Sequence, residues 1–376
     1  MELCLELMCQ GLAAQGHQVT AVVADSGCGG AYGSDLPEQR DGVCVIRSPR
    51  IAQLAGTSVC PRMASTIRQQ TADVIHLHWP NPTAAVAFLA SGQRAPLVIS
   101  FHSDVIRQKF LGAVFQPILS RLLERASAIL VAAPQILRHS PVLGPYRGKC
   151  RVVPFGIRTV SQYGSYRDQC GQSDQRAQVQ KIRERFGSSI VLAVGRQVYY
   201  KGFEYLIRAM QRVPGRAILI GDGPLRGSLE QFSKKLGVSD RVTFLGEVDN
   251  VAPYYRAADV FVLPSVARSE AFGMVQLEAM AAGTPVINTA LDSGVPYVSV
   301  HGETGITVAP KDETQLADAI ALVLQSKTIR TLYGQAAQRR VAQEFTAEVM
   351  TRRIQQVYED VVHQAGKSSR TKSAQV

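Results

Sequence analysis

Tryptophan occurs once in these 376 residues, and charged residues make up only 19% of them. With no interleaved basic and aromatic pattern, that scarcity argues against a nucleic-acid surface. The seven cysteines, at 4, 9, 28, 44, 60, 150 and 170, are odd in number and show no C-x-x-C spacing. Such usage favours reduced, buried or incidental thiols in a cytoplasmic protein over a disulfide frame or zinc site. No apolar run is long enough to span a bilayer. Glu2 and Glu6 interrupt the first apolar stretch, where a secretory leader needs continuity. The turn Gly221-Asp222-Gly223 is neither a Walker loop nor G-x-G-x-x-G, so it is no ATP or NAD signature.

What is present points to two α/β domains. The length disfavours a single core, and strand-like and helix-like segments alternate almost throughout. Strands are predicted at 17–24, 43–46, 74–78, 96–101, 129–132 and 151–154, then at 190–194, 217–220, 241–245, 260–264, 285–289 and 306–308. Between the two series the apolar periodicity dissolves. The expected organisation is a first domain over 1–158, a linker over 159–180 and a second domain over 181–345. A closing helix over 346–365 and a disordered basic tail over 366–376 complete it. A formal net charge of +11 calls for anionic partners, such as nucleotide sugars or an acidic membrane leaflet.

The richest segment is Ser269-Glu270-Ala271-Phe272-Gly273-Met274-Val275-Gln276-Leu277-Glu278-Ala279-Met280, followed by Ala-Ala-Gly-Thr-Pro-Val. It reads as a helix over 269–282 with Ser269 as N-cap and Gly283 past its end. Eight residues of helix would separate Glu270 and Glu278 by roughly 12 Å. That is the span of a sugar and a ribose joined by a diphosphate, and the helix N-terminus between them favours anions. A second segment runs strand, loop, helix through Gly195-Arg196 and Tyr200-Lys201-Gly202. It places two cations at the carboxyl end of a parallel strand, where open sheets bind ligands. Those charges suit a diphosphate leaving group. Gly223 lies in a tight turn after a strand, and Val248 and Asp249 follow the strand predicted over 241–245.

The E-x7-E segment and the G-R-x(4)-K-G segment resemble the retaining glycosyltransferases of GT-B fold, notably bacterial mannosyl- and rhamnosyltransferases of polysaccharide and O-antigen synthesis. The resemblance implies an α/β protein with two Rossmann-like domains facing a cleft, the last helix crossing back to the first domain. Family members open with a strand and a Gly-Gly loop. Here the first predicted element is a helix over 1–16, so the first domain is expected to lack its opening strand. A non-catalytic protein that binds a nucleotide sugar or a partner is therefore the alternative reading.

By resemblance, Arg196 and Lys201 would stabilise the departing nucleoside diphosphate, Glu270 would contact the sugar and Glu278 the ribose. Gly195, Gly223, Val248, Asp249, Ala271, Phe272, Gly273 and Met274 would line the donor site, with backbone N–H groups of 272–274 meeting phosphate or sugar. His102, ending the strand Ile99-Ser100-Phe101, would complete the sugar pocket from the other domain. Asp249 could accept from two guanine donors that uracil lacks, so a GDP-sugar is favoured over a UDP-sugar, although turn chemistry explains an Asp there equally well. No metal and no cofactor beyond the donor is expected. The implied acceptor is a glycan or polyprenyl-linked glycan at the inner face of the membrane. The basic amphipathic stretch 104–124, with Arg107, Lys109 and Arg121, suits either peripheral contact with an anionic membrane or packing on a sheet. His76 and His78 share one side of their strand, where fold packing or acceptor contact is favoured over a metal pair.

Overall fold

The structure, a computed structural model, describes residues 2–25, 37–54, 57–104, 109–158 and 172–373. Two compact units divide the chain: Met1–Gly156 with Ala347–Val376, and Ile157–Thr346.

In the first unit, β1 (Val19–Ala24), β2 (Glu38–Arg40) and β3 (Val43–Ser48) form one sheet in the order β1-β3-β2. The strands β4 (Ala52–Leu54) and β5 (Thr57–Val59) pair as a hairpin. A parallel sheet follows, made of β6 (Ile75–Trp79), β7 (Leu97–Phe101), β8 (Ala126–Val131) and β9 (Cys150–Val152) in chain order. Met350, Ile354, Val357 and Val361 recur at helical spacing along the last helix. They bury against Leu7, Met8 and Leu12 of the first helix, Glu2–Ala14. The two helices meet closely at Gly11, where an added Cβ would lie 2.3 Å from Thr351 Oγ1. Gly11→Ala should therefore lower stability by about 1–3 kcal/mol, despite the better helix propensity of alanine. Adding Thr351→Ala should recover most of that loss in urea melts; no recovery would place the strain elsewhere.

The second unit holds one six-stranded parallel sheet of β10 (Ile190–Val194), β11 (Arg216–Ile220), β12 (Val242–Gly246), β13 (Val260–Val262), β14 (Val286–Thr289) and β15 (Gly305–Val308). Its order is β12-β11-β10-β13-β14-β15. The order in which strands are added reverses between β10 and β13, and a crevice opens at the carboxyl ends of such a strand pair. The continuous apolar run Ile190–Val194 is buried along its whole length, as expected of a central strand covered on both faces.

Beyond shifts of one to three residues at strand ends, three elements differ from the sequence reading. Part of the expected linker is the helix Gln172–Phe186, while 159–171 lie outside the described residues. Its polar surface hides it from periodicity; it is anchored by Phe186, by Arg183 against Asp259 at 3.6 Å and by a Gln175–Arg256 hydrogen bond. The last helix continues to Ser373, past the tail boundary expected at 366, because no proline stops a helix already nucleated. The third difference is the helix of the two glutamates, which spans only Met274–Ala281. Gly273, not Ser269, is its N-cap, with φ 75° and ψ 60°, a left-handed conformation that breaks helical continuity.

Candidate functional site

That late helix start changes the geometry of the acidic pair. Glu270 stands in the loop after β13, and only Glu278 is helical. The 12 Å helical spacing therefore does not apply. Glu270 instead turns to Lys201: its Oε2 lies 2.6 Å from Nζ and accepts a hydrogen bond from Ser265 Oγ at 3.1 Å. Both members are deeply buried, Lys201 at 7% and Glu270 at 8% exposure.

The strand order makes this meeting. Lys201 ends the loop after β10 and Glu270 the loop after β13, the two strands flanking the reversal. Val266 N–H donates to Tyr200 C=O at 2.8 Å, tying the loops together. Gly202 permits their approach: its φ is 65°, and a Cβ there would stand 2.2 Å from Pro264 O. Toward β11, Gln197 N–H donates to Asp222 C=O at 2.7 Å, and Leu225 N–H to Gln197 C=O at 3.1 Å. Gly195 thus faces Lys201, whose Nζ would be 3.1 Å from a Cβ at that position.

Arg196 is exposed in the same loop, and its guanidinium makes no hydrogen bond or ion pair among the described residues. Tyr200 is half-buried; burial first, then Glu270 and Tyr199, raise its phenol pKa, with Arg196 opposing. The arrangement is one buried, mutually neutralised ion pair beside one uncommitted cation. An arriving dianion can be held by Arg196 and can draw on Lys201 without either charge being installed anew.

The remaining expected donor residues divide. Glu278 is half-buried and accepts from Tyr255 OH at 2.8 Å. Ala271 C=O accepts from Gly294 N–H at 2.7 Å, so its carbonyl faces inward. The Phe272 ring is buried edge-on to Phe345 at 6.2 Å and offers no side-chain surface, leaving only its backbone for a ligand. Gly273 and Met274 form the helix start. Gly223 closes the turn after β11, its N–H donating to Asp222 Oδ1 at 2.6 Å. Val248 and Asp249 lie in the bend after β12, away from the Lys201–Glu270 contact; the exposed Asp249 carboxylate has no partner among the described residues. Sequence reading missed Ser265, Gln276 and Asn288. The only local sign of them is a polar residue at a position whose neighbours are core.

His102 belongs to the first unit. It stacks in a row of rings, His76 to His78 at 4.7 Å, His78 to His102 at 5.1 Å and His102 to Phe155 at 5.3 Å. His78 Nδ1 and His102 Nε2 share a hydrogen bond of 2.9 Å, while His76 bonds Tyr358 OH at 2.6 Å and Ser100 Oγ at 2.8 Å. Burial, with repulsion from His78, pushes the His102 pKa down to about 3, and burial takes His78 to about 4. Burial also lowers His76 well below its usual range. His102 is thus a neutral hydrogen-bonding group, not a cation. Together with Met8, Met350 and Phe155, His78 and His102 line a cavity of about 20 Å³ within this unit. Arg107 lies outside the described residues, as do the side chains through 114; Arg121 is exposed. Among the described residues no helix is long and apolar enough to cross a membrane, and no group of three metal-ligating side chains is found.

Residues 174–340 match the family model for glycosyl transferases group 1, and residues 1–156 the glycosyl transferase 4-like domain. The chain is 32% identical over 311 residues to the D-rhamnosyltransferase WbpZ of Pseudomonas aeruginosa, covering 81% of this chain and 79% of that one. It is 28% identical over 313 residues to the O-antigen chain mannosyltransferase C of Escherichia coli, with 81% of each covered. Among solved structures, sucrose-phosphate synthase from Thermosynechococcus elongatus aligns with a TM-score of 0.73 at 25% identity, covering 99% of this chain and 93% of that one. Anabaena HepE in complex with UDP aligns with a TM-score of 0.71 at 21% identity, covering 92% and 100%.

Proposed function

The chain belongs to the group 1 glycosyl transferases with a 4-like domain and has their GT-B fold, and from that premise we propose that it is a retaining enzyme moving mannose or a deoxy relative from a GDP-sugar to a glycan or polyprenyl-linked glycan. The observation that carries this reading is the buried Lys201–Glu270 pair at the strand-order reversal, with unpaired Arg196 beside it. Arg196 and Lys201 would meet the diphosphate, whose charge grows as the glycosidic bond breaks. Glu270, held by Ser265, would contact the sugar, and Glu278 the ribose. The two cations supply the charge compensation from the protein itself, so the reading includes no metal or further cofactor. His102 enters as a neutral partner for a sugar hydroxyl.

Support for mannose or rhamnose comes from the names of the relatives. Support for GDP comes from a Mycobacterium tuberculosis relative, 28% identical, named a GDP-mannose-dependent mannosyltransferase of a phosphatidylinositol monomannoside. The UDP complex of HepE, at 21% identity, speaks to the fold alone. A polyprenyl-linked acceptor would bring the basic protein to the inner face of the membrane as a peripheral enzyme.

Calorimetric titration with GDP and UDP tests the reading. GDP is expected to bind at least tenfold more tightly than UDP. Arg196→Ala should weaken GDP by about 10-fold to 100-fold, the worth of one charge-assisted hydrogen bond, without changing the melting temperature. Tighter binding of UDP would overturn the base, and undiminished GDP affinity in the variant would remove Arg196 from the phosphate site.

A further inference from the structure

Two buried amides stand behind the turn that precedes helix Met274–Ala281. Gln276 is 0% exposed and Asn288, on β14, is 1% exposed. Gln276 Nε2 donates to Phe272 C=O at 3.1 Å and to Val295 C=O at 3.4 Å, while its Oε1 accepts from Asn288 Nδ2 at 2.8 Å. Asn288 Nδ2 also reaches Val295 C=O at 3.1 Å and Ser299 C=O at 3.2 Å, and its Oδ1 accepts from Thr307 Oγ1 at 2.7 Å. Every amide heavy atom is thus bonded in a chain running from β15 through β14 to the turn. Burying two amides is unfavourable unless their hydrogen bonds are made, and a complete network holds one geometry where an apolar core would accept several.

The geometry it holds faces the candidate donor site. Gln276 pins the Phe272 carbonyl inward, and Gly294 N–H pins the Ala271 carbonyl at 2.7 Å. In a trans peptide the following N–H points opposite to the carbonyl, so the Gly273 N–H is directed away from the amides. The N–H groups of Gly273 and Met274 make no hydrogen bond among the described residues. Four residues before this helix stands Glu270, paired to Lys201. Resting on the proposed transferase reading, we infer that Gln276 and Asn288 are positioning residues. They lock the 271–273 turn so that its free N–H groups stay presented to the donor, without touching the ligand themselves.

Because leaving-group charge grows in the transition state, loosening the turn acts on turnover more than on ground-state binding. The experiment measures GDP release from GDP-mannose, GDP affinity, and hydrogen exchange at the Gln276 and Gly294 amides, which close the turn. In Gln276→Met those two amides should exchange at least tenfold faster, kcat should fall by about 10²-fold, and GDP affinity should stay within a few-fold. Gln276→Glu retains the acceptor for Asn288 but sets a carboxylate against two carbonyls. Held among them it keeps its proton more readily, and only the protonated form donates to Phe272 C=O. Its turnover should therefore rise as pH is lowered from 8 to 6, an ionisation absent from the parent profile. A retained kcat in Gln276→Met, unchanged exchange, or a flat relative pH profile in Gln276→Glu would each overturn the positioning role of the two amides in an otherwise active enzyme. A parent chain that binds neither GDP nor UDP would instead overturn the transferase reading, and the positioning role with it.

Discussion

Lys201→Met is expected to lower GDP release from GDP-mannose by about 10³-fold and to cost roughly 3–5 kcal/mol of stability. The two effects have different origins. Stability is lost because the Glu270 carboxylate, 8% exposed, is left with the Ser265 hydroxyl as its nearest donor. Turnover is lost because no fixed ammonium remains at the carboxyl end of β10 to meet the growing charge. Glu270→Gln should destabilise in the same way by stranding the ammonium. The double variant Lys201→Met with Glu270→Gln separates the two effects, since it buries no charge. Its urea midpoint should return close to that of the parent while its turnover stays lost. A double variant no more stable than either single one would show that burial of a lone charge is not the cause. Wild-type turnover in Lys201→Met would remove the lysine from the mechanism altogether.

Acidification should weaken the first unit well before carboxylates titrate. His76, His78 and His102 all have folded pKa values below the ordinary 6.5, with His78 at about 4 and His102 at about 3. In the unfolded chain each imidazole takes a proton near pH 6.5, so below that point the unfolded state binds more protons and stability falls with pH. The stabilisation is complete above the unfolded value and is lost as pH drops through the window down to about 4 and 3. At pH 5 the loss is about 2 kcal/mol for each imidazole that stays neutral in the fold, several kcal/mol for the row. Urea midpoints at pH 7, 6 and 5 should fall steadily, and His78→Gln should flatten the slope by about one proton. Equal midpoints at pH 7 and 5 would contradict the burial that sets these shifts.

Much of the architecture was legible along the chain. The apolar run Ile190–Val194, and the stretch Leu97–Phe101 broken only by Ser100, read as covered strands once their length and flanking turns are weighed, and their alternation with helices points to parallel sheets. The Gly283 stop was equally plain, since Gly283 has φ 80° and Thr284 N–H returns to Ala279 C=O at 2.9 Å. The helix start was not. Ser269 has every local feature of an N-cap, yet the chain turns at Gly273 because Gly294 and Gln276 hold the preceding carbonyls; Gly294 lies beyond any local window, and Gln276 is itself held by Asn288 on another strand. The helix Gln172–Phe186 was invisible for a related reason: its stability comes from contacts with distant residues, not from an apolar face of its own.

The sequence by itself determined which residue types stand at the ends of the strands: Arg196 and Lys201 after one, Glu270 after another, His102 after a third. These positions follow from short-range pattern, because strand, turn and helix period are written in neighbouring residues. Only the tertiary structure decided who meets whom. Lys201 and Glu270 are partners because β10 lies next to β13, and the histidine row forms because β6 lies next to β7. Strand order is a long-range choice, made by burying whole faces at once, and no segment carries it alone.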